Sequence, residues 1–364
     1  MYPEPSERGL NATPSNNVNQ MPTRTITYLS LISISALAYL GLAWGGPTTT
    51  RVAAQVSIPG TRRIEFVSRV NGHLYEITLA FPFTRAPLTG YPVLYVLDGY
   101  WYFASATEAV RLVAAGSNVL VVGIGYPDDR VYVQHVLAER GPLPDVLKDR
   151  PPSRGFQFLE REYDLTLPAS DADLATQTFP GDPQLRGQNV GGLDDFLKII
   201  ETEIKPRVAA LAHIDPANQA LFGHSLGGLA TLHALFTEPN AFRTFIIGSP
   251  SIWWNNREVL ADEERFAAAV RAGEASPRVL VTMGSEESSI PPKSGADQSV
   301  IAAFYRRTRM VENGAELVEK LKKLRGNAGY RVDGYALFDK EAHSEAAWSA
   351  LARGIPFAFG DDAK

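Results

Sequence analysis

The stretch that decides the fold is Gly223-His224-Ser225-Leu226-Gly227-Gly228. An apolar run ending at Phe222 precedes it, and a helix-like segment beginning at Leu229 follows it. A strand, the pattern G-x-S-x-G and a helix together form a nucleophile elbow, a tight turn that exposes a serine hydroxyl at the end of a strand. Glycine is needed two positions before and after the serine, because a Cβ there would meet the strand or the helix. The pattern therefore predicts that Ser225 is a nucleophile.

Strand-like and helix-like segments alternate along residues 58–360, and the first two strands flank a turn at Asn71-Gly72. Continuous apolar runs such as Pro92–Leu97 are typical of buried parallel strands. This alternation predicts a single domain with an α/β-hydrolase fold: a mostly parallel sheet, helices on both faces and an N-terminal antiparallel hairpin. Residues 126–190 contain many prolines and charges without a clear period, which predicts an irregular insert that forms a cap or binding loops.

Three segments are predicted before this domain. Residues 1–24 are polar and are expected to be disordered. Residues 25–46 form an apolar run that follows Arg24 and ends in small residues, which is typical of a secretory signal peptide. The run is also long enough to anchor the chain in the inner membrane if it is not cleaved, and a buried core helix is a third interpretation. Residues 47–57 are a linker. We expect an exported, periplasmic protein whose translation starts at Met1 or Met21.

Composition excludes several chemistries. The chain of 364 residues has no cysteine, which excludes disulfides, thiol nucleophiles and cysteine-ligated zinc. Its formal net charge is −5 and it has no long basic block, so we expect no nucleic-acid partner. Metal-binding histidine spacings and a glycine-rich phosphate loop are missing from the sequence, so no cofactor and no metal are predicted.

A serine hydroxyl needs a base within hydrogen-bond reach, and the sequence contains only six histidines. His343 follows the final predicted strand, in the loop that lies beside the elbow in this fold, and we predict that it is the base. His224 occupies the variable position of the elbow, where we expect it to point away from the reaction, and His233 lies on the following helix. The others lie in the hairpin, in the insert and at the opposite end of the sheet: His73, His135 and His213.

The acid and the oxyanion donors are predicted from the order of the strands. An acid is expected after the strand that ends at Met283, where Glu287 is the first choice and Glu286 the second. The alternative is that both are ordinary solvated carboxylates and that a backbone carbonyl orients the histidine. The backbone N–H groups of Leu226 and Tyr100 are the predicted oxyanion donors.

A family resemblance adds to this interpretation. The motifs Tyr91–Gly99, Leu221–Gly228 and Ser249–Asn255 resemble those of the esterase D-like α/β-hydrolases, in the branch of the periplasmic siderophore esterases that act on trilactones of the enterobactin and salmochelin type. The resemblance covers roughly residues 60–358. It implies that Ser225 is the nucleophile and His343 the base.

The resemblance also supports Glu287, through a G-x-x-E pattern. It further implies that Arg161, Trp253 and Trp254 lie near the cleft, where indole and guanidinium faces suit an aromatic or anionic substrate. Trp101, which follows the predicted oxyanion donor Tyr100, is counted with these substrate-binding residues. Core packing is the alternative for the tryptophan pair.

Together these features predict a serine carboxylic-ester hydrolase that forms an acyl-enzyme. Its expected partner is a small-molecule ester, with siderophore trilactones as candidate substrates. An acyltransferase or a peptidase with the same residues is one alternative. A non-catalytic ligand-binding protein of the cell envelope is another.

Overall fold

The computed structural model describes residues 57–113, 118–127, 152–177, 187–288 and 298–360. The predicted segments 1–24 and 25–46 lie outside the described residues, as does His135. Within the described ranges, no helix combines the length and the apolar character needed to cross a membrane.

One eight-stranded sheet organises the described residues. Its strands are β1 (Thr61–Val67), β2 (Leu74–Ala80), β3 (Tyr91–Val96), β4 (Leu120–Gly125), β5 (Ile214–His224), β6 (Thr244–Gly248), β7 (Arg278–Gly284) and β8 (Arg331–Phe338). They lie in the order β1-β2-β4-β3-β5-β6-β7-β8. The pairs β1–β2 and β2–β4 are antiparallel, and every other neighbouring pair is parallel. The predicted α/β-hydrolase fold with an N-terminal antiparallel hairpin is therefore confirmed.

Helices cover both faces of this sheet. The described helices are α1 (Gly99–Leu112), α2 (Pro152–Asp164), α3 (Asp171–Gln177), α4 (Leu193–Ile199), α5 (Lys205–Leu211), α6 (Leu226–Thr237), α7 (Glu263–Ala272), α8 (Gln298–Thr308), α9 (Met310–Lys323) and α10 (His343–Phe359). A π-helical turn joins α4 to α5. Alternate strand residues enter two separate apolar cores, because side chains alternate across a strand. Tyr95 lies in the core that α4 and α6 cover, whereas its neighbour Val96 lies in the core that α1 and α10 cover.

The segment 126–190 is more regular than its composition predicts, because its described part contains α2 and α3. The buried side of α2 carries charged residues, among them Glu160 and Asp164, as well as the apolar Leu159. Buried charges interrupt the apolar period from which a helix is predicted in a sequence. The helix therefore does not stand out in the sequence.

Candidate active site

The nucleophile elbow has the geometry that the motif predicts. Ser225 lies between β5 and α6 with φ 63° and ψ −119°, a backbone conformation that is strained for a residue with a side chain. Its N–H donates to the carbonyl of Gly248 at 3.0 Å, and its own carbonyl accepts from the N–H of Leu229 at 2.9 Å. The hydroxyl makes no capping hydrogen bond to α6 within the described part of the chain. Ser225 is half-buried at the end of the sheet. Its hydroxyl is therefore not engaged in capping the helix that follows.

Two close approaches explain the glycines of the elbow. A Cβ on Gly223 would lie 2.1 Å from the carbonyl oxygen of Gly227, and one on Gly228 would lie 2.3 Å from the carbonyl oxygen of Gly248. A Cβ on Gly227 would come closest to the carboxylate of Asp98, at 3.2 Å, and would otherwise make ordinary contacts with the side chains of Leu97 and Leu165. The tightest requirements are therefore at the first and the last of the three glycines.

A carboxylate–histidine pair lies at the ends of β7 and β8. His343 is the first residue of α10, and its Nδ1 lies 2.7 Å from Glu287 Oε2. Glu287 is 2% exposed, whereas the neighbouring Glu286 is exposed. Of the two candidate acids, the structure thus brings Glu287 to the histidine.

The other carboxylate oxygen of Glu287, Oε1, is fixed by two hydrogen bonds. Oε1 accepts from the hydroxyl of Ser249 at 2.5 Å and from the N–H of Gly284 at 2.6 Å. Both donors follow or end neighbouring strands, so the sheet itself fixes the carboxylate. With Oε1 engaged in this way, Oε2 is directed at the imidazole.

The loop before His343 is joined to the turn after β7. The N–H of Glu286 donates to the carbonyl of Glu341 at 3.0 Å, and the N–H of Lys340 donates to the hydroxyl of Ser285 at 2.8 Å. A Cβ on Gly284 would lie 2.2 Å from the same Glu341 oxygen, so glycine permits this approach. The acid and the histidine are thus carried by two turns that are bonded to each other.

His224 does not point away from the site, and that prediction is wrong. Its ring centroid lies 4.6 Å from that of His343, and the residue is buried. The sequence shows only that His224 adjoins Ser225. The contact arises because α10 packs against β5, β6 and β7. The spacing of residues around the elbow does not reveal this long-range packing.

The remaining described histidines lie elsewhere. His233 Nε2 is 2.8 Å from Asp194 Oδ1, and His73 Nδ1 is 3.2 Å from a carboxylate oxygen of Glu160. The carbonyl of His213 accepts from the N–H of Tyr91, the first residue of β3, which places it at the opposite end of the sheet from Ser225. These contacts leave His343 as the histidine that is paired with a carboxylate beside the elbow.

Both predicted oxyanion donors lie in the first turns of helices. Leu226 is the first residue of α6, and Tyr100 is the second residue of α1. N–H groups in a first turn have no intrahelical acceptor, and the helix dipole favours negative charge there. A Cβ on Gly99 would lie 2.7 Å from the backbone of Gly123, so glycine lets this loop pack against β4.

Asp98 fixes the loop that opens α1. Its backbone is left-handed, with φ 52°, and its Oδ1 accepts from Arg161 Nε at 2.8 Å. Arg161 also lies 3.3 Å from Glu162, and its guanidinium lies over the ring of Trp101 at 5.0 Å. Burial raises the pKa of Asp98, and the charge of Arg161 opposes that rise. Arg161 is thus buried and paired with carboxylates, which corrects its prediction as a substrate-binding residue.

The two residues of the predicted tryptophan pair differ in burial. Trp254 is 3% exposed, and its indole N–H donates to the carbonyl of Leu167 at 3.1 Å. It therefore belongs to the apolar core, which corrects its prediction as a substrate-binding residue. Trp253 is half-buried and packs edge-on against Phe304, with ring centroids 5.6 Å apart. Trp101 is also half-buried. No group of three or more potential metal ligands occurs among the residues that the structure describes.

A strained serine between a strand and a helix, with a histidine–carboxylate pair at the same end of a mostly parallel sheet, defines a serine hydrolase of the α/β-hydrolase class. The model of the Esterase family matches residues 154–350, and the chain belongs to this family.

Characterised proteins of similar sequence are also esterases. The chain is 29% identical over 313 residues to the ferri-bacillibactin esterase BesA of Bacillus subtilis (strain 168), covering 84% of this chain and 92% of that protein. It is 30% identical over 301 residues to the siderophore enterobactin esterase of Emericella nidulans, covering 78% and 88%. The crystal structure of the BES protein from Bacillus cereus matches with a TM-score of 0.65 and 30% identity, covering 85% and 99%. The chain is a carboxylic-ester hydrolase.

Proposed function

We propose that this chain hydrolyses the ester bonds of a siderophore, with Ser225 as nucleophile, His343 as general base and Glu287 as the carboxylate that orients the base. The observation that carries this proposal is the 2.7 Å contact between Glu287 Oε2 and His343 Nδ1 beside the strained serine. A histidine that donates its Nδ1–H to a carboxylate keeps the lone pair of Nε2 available to accept a proton.

The reaction follows from these groups. Ser225 Oγ attacks the ester carbonyl carbon while His343 Nε2 takes the hydroxyl proton. The buried charge of Glu287 stabilises the imidazolium that forms. The tetrahedral intermediate collapses to an acyl-serine, and the imidazolium gives its proton to the departing alkoxide. A water molecule, deprotonated by the same nitrogen, then releases the acid and restores the serine.

The N–H groups of Leu226 and Tyr100 are proposed to bind the oxyanion. Two helix N-termini that face the end of β5 supply donors and a favourable dipole without reorganisation during the reaction. The Asp98–Arg161 pair fixes the loop that carries Tyr100. Trp101 and Trp253 are the proposed substrate contacts, because both are half-buried and therefore partly accessible.

The siderophore as substrate is supported by the names of the two related esterases, which the chain matches over most of its length. The test compares hydrolysis of ferric and iron-free trilactone siderophores with hydrolysis of short p-nitrophenyl esters. We expect higher kcat/KM on a trilactone than on p-nitrophenyl butyrate. Indifference to trilactones together with rapid hydrolysis of short esters would reject the siderophore and keep the esterase.

Ser225→Ala is the control for the nucleophile in the same panel, and we expect it to lose at least about 10³-fold in kcat. Full activity of that variant would overturn the assignment. Tight trilactone binding without turnover by the wild type would favour the ligand-binding alternative. Transfer of the acyl group to an added alcohol or amine in preference to water would favour the acyltransferase.

We propose that residues 25–46 direct export to the periplasm, on the basis of their apolar sequence after Arg24. The mass of the protein purified from the periplasmic fraction separates cleavage from retention as a membrane anchor. Recovery of the uncleaved chain from the cytosol would contradict export.

A further inference from the structure

His224 has no role in the mechanism above, yet it contacts the proposed base. It is the last residue of β5 and the neighbour of Ser225, and it is 2% exposed. Its ring centroid lies 4.6 Å from that of His343, with an angle of 41° between the ring planes. The imidazole of His224 thus packs against that of His343 at the end of β5, next to Ser225.

The surroundings of His224 disfavour a charge on its ring. Neither of its nitrogens makes a hydrogen bond of ordinary geometry within the described part of the chain, and the nearest polar group is the backbone of His343. Burial lowers its pKa well below the usual value of 6.5, and the charges of His343 and Arg161 lower it further, against a smaller opposing effect of the His343 backbone. A buried polar ring without such hydrogen bonds costs free energy relative to an apolar side chain. The position therefore holds an imidazole at a cost to stability.

The ring is held by its surroundings. His224 pairs with Gly248 across β5 and β6, and a Cβ on that glycine would lie 3.2 Å from His224 Nδ1. On another side, Tyr102 packs edge-on against His224 at 6.1 Å and edge-on against Trp348 at 5.5 Å. Trp348 and His343 both belong to α10. The rings of Tyr102, His224, His343 and Trp348 therefore form one aromatic cluster that joins α1, β5 and α10.

We propose that His224 is a positioning residue, whose ring packs against His343 and holds that base beside Ser225. The inference rests on the proposed roles of Ser225 and His343. During the reaction His343 becomes an imidazolium, and an uncharged aromatic face beside a cation stabilises it, whereas a second cation there would repel it. An aliphatic side chain fills the space but offers no such face.

Two substitutions separate the ring from its volume. His224→Phe keeps an aromatic face without ring nitrogens, and His224→Leu keeps apolar bulk without the ring. We expect the leucine variant to lose about 10-fold or more in kcat on p-nitrophenyl butyrate, with KM within about 2-fold of wild type. The phenylalanine variant should stay within about 3-fold in kcat. Wild-type kcat in the leucine variant, or equal losses in both variants, would overturn the proposal.

A double-variant cycle tests whether His224 acts through His343. In the His343→Ala background, His224→Leu should change the residual rate by less than about 2-fold, because the group that it positions is missing. A further 10-fold loss in that background would show a general structural effect and overturn the proposal. Melting temperatures of all variants show that the compared proteins are folded. Retained activity of Ser225→Ala would overturn the proposed function itself, whereas a fully active His224→Leu with an inactive Ser225→Ala overturns only this inference.

Discussion

Arg161 Nε lies 2.8 Å from Asp98 Oδ1, and both side chains are buried. This ion pair joins α2, which comes from the segment that the sequence predicted to be irregular, to the loop that opens α1. The backbone of Asp98 is left-handed, a conformation that few residues with a side chain adopt, and the ion pair fixes its side chain. We infer that α2 stabilises the proposed oxyanion site through this pair.

Removing one member of the pair should be costly. Arg161→Met leaves a buried carboxylate without its cation, and we expect the free energy of unfolding to fall by about 3–5 kcal/mol. Esterase activity should fall as well, because the loop that carries Tyr100 loses its support. Urea unfolding at neutral pH measures the first effect, and kcat on p-nitrophenyl butyrate measures the second.

A surface ion pair provides the control. Lys320 Nζ lies 2.7 Å from Glu263 Oε2, and about half of the lysine side chain is exposed. Lys320→Met should cost less than about 1 kcal/mol, because solvent screens an exposed pair. Equal losses in Lys320→Met and Arg161→Met would contradict a specific role for the buried pair.

The two adjacent glutamates after β7 form a matched pair for testing the acid. Glu287→Gln keeps the shape of the side chain but removes the charge that faces the imidazolium, and its amide can force the wrong tautomer on His343. We expect kcat to fall by at least about 10²-fold. Glu286→Gln changes an exposed side chain and should stay within about 2-fold of wild type. If both variants keep full activity, a backbone-oriented Ser225–His343 dyad is the better description.

Much of the fold and part of the site could be predicted because they depend on local rules. The elbow is a contiguous motif, and His343 follows from the fixed order of nucleophile, acid and histidine in this fold. Glu287 was the first choice over Glu286 from the sequence, and the G-x-x-E pattern supported it. The structure shows Glu287 buried and Glu286 exposed. Each of these predictions needs only the position of a residue relative to the end of one strand.

Contacts between distant segments could not be predicted in this way. The pairing of Asp98 with Arg161 could not be predicted, because buried charges mask the apolar period of the helix that carries Arg161. His224 was expected to point outward, because nothing local to the elbow shows that α10 returns against it. Trp254 adjoins Trp253 in the sequence, and only the tertiary structure, in which Trp254 is buried and its indole N–H donates to the carbonyl of Leu167, separates the core residue from the half-buried one.

Adjacent glycines of the elbow should differ sharply in their tolerance of a methyl group. In Gly228→Ala the new Cβ would lie 2.3 Å from the carbonyl of Gly248, a backbone atom that already accepts from Ser225. We expect a loss of about 3 kcal/mol or more in unfolding free energy, at the upper end of overpacking effects. In Gly227→Ala the atom closest to the new Cβ would be a side-chain carboxylate oxygen, at 3.2 Å, and we expect a cost of less than about 1 kcal/mol. Thermal and urea unfolding of the two variants decide the point, and equal stability would show that the elbow can shift.

The buried carboxylate of Asp164, at the end of α2, should make the stability of the protein depend on pH. Asp164 is fully buried, and its Oδ2 accepts from the hydroxyls of Tyr75 at 2.8 Å and Tyr126 at 2.9 Å. Burial, with the charge of Glu160, raises the pKa of Asp164 to about 7, against opposing effects of His73 and the two hydroxyls. The folded protein therefore binds a proton that the unfolded chain releases near pH 4.

The sign follows from this difference. Between about pH 4 and pH 7 the folded state holds more protons than the unfolded state, so the contribution of Asp164 to stability is fully present below pH 4 and is lost as the pH rises to 7. Asp164→Asn keeps an acceptor for the tyrosines and cannot titrate. The unfolding free energy of wild type minus that of Asp164→Asn should therefore fall by an amount of the order of 4 kcal/mol between pH 4 and pH 7.5. The exposed Asp195→Asn is the control and should change stability by less than about 0.5 kcal/mol at each pH. A difference between wild type and Asp164→Asn that stays constant with pH would mean that Asp164 has the same pKa in the folded protein as in the unfolded chain, with the tyrosine hydroxyls balancing its burial.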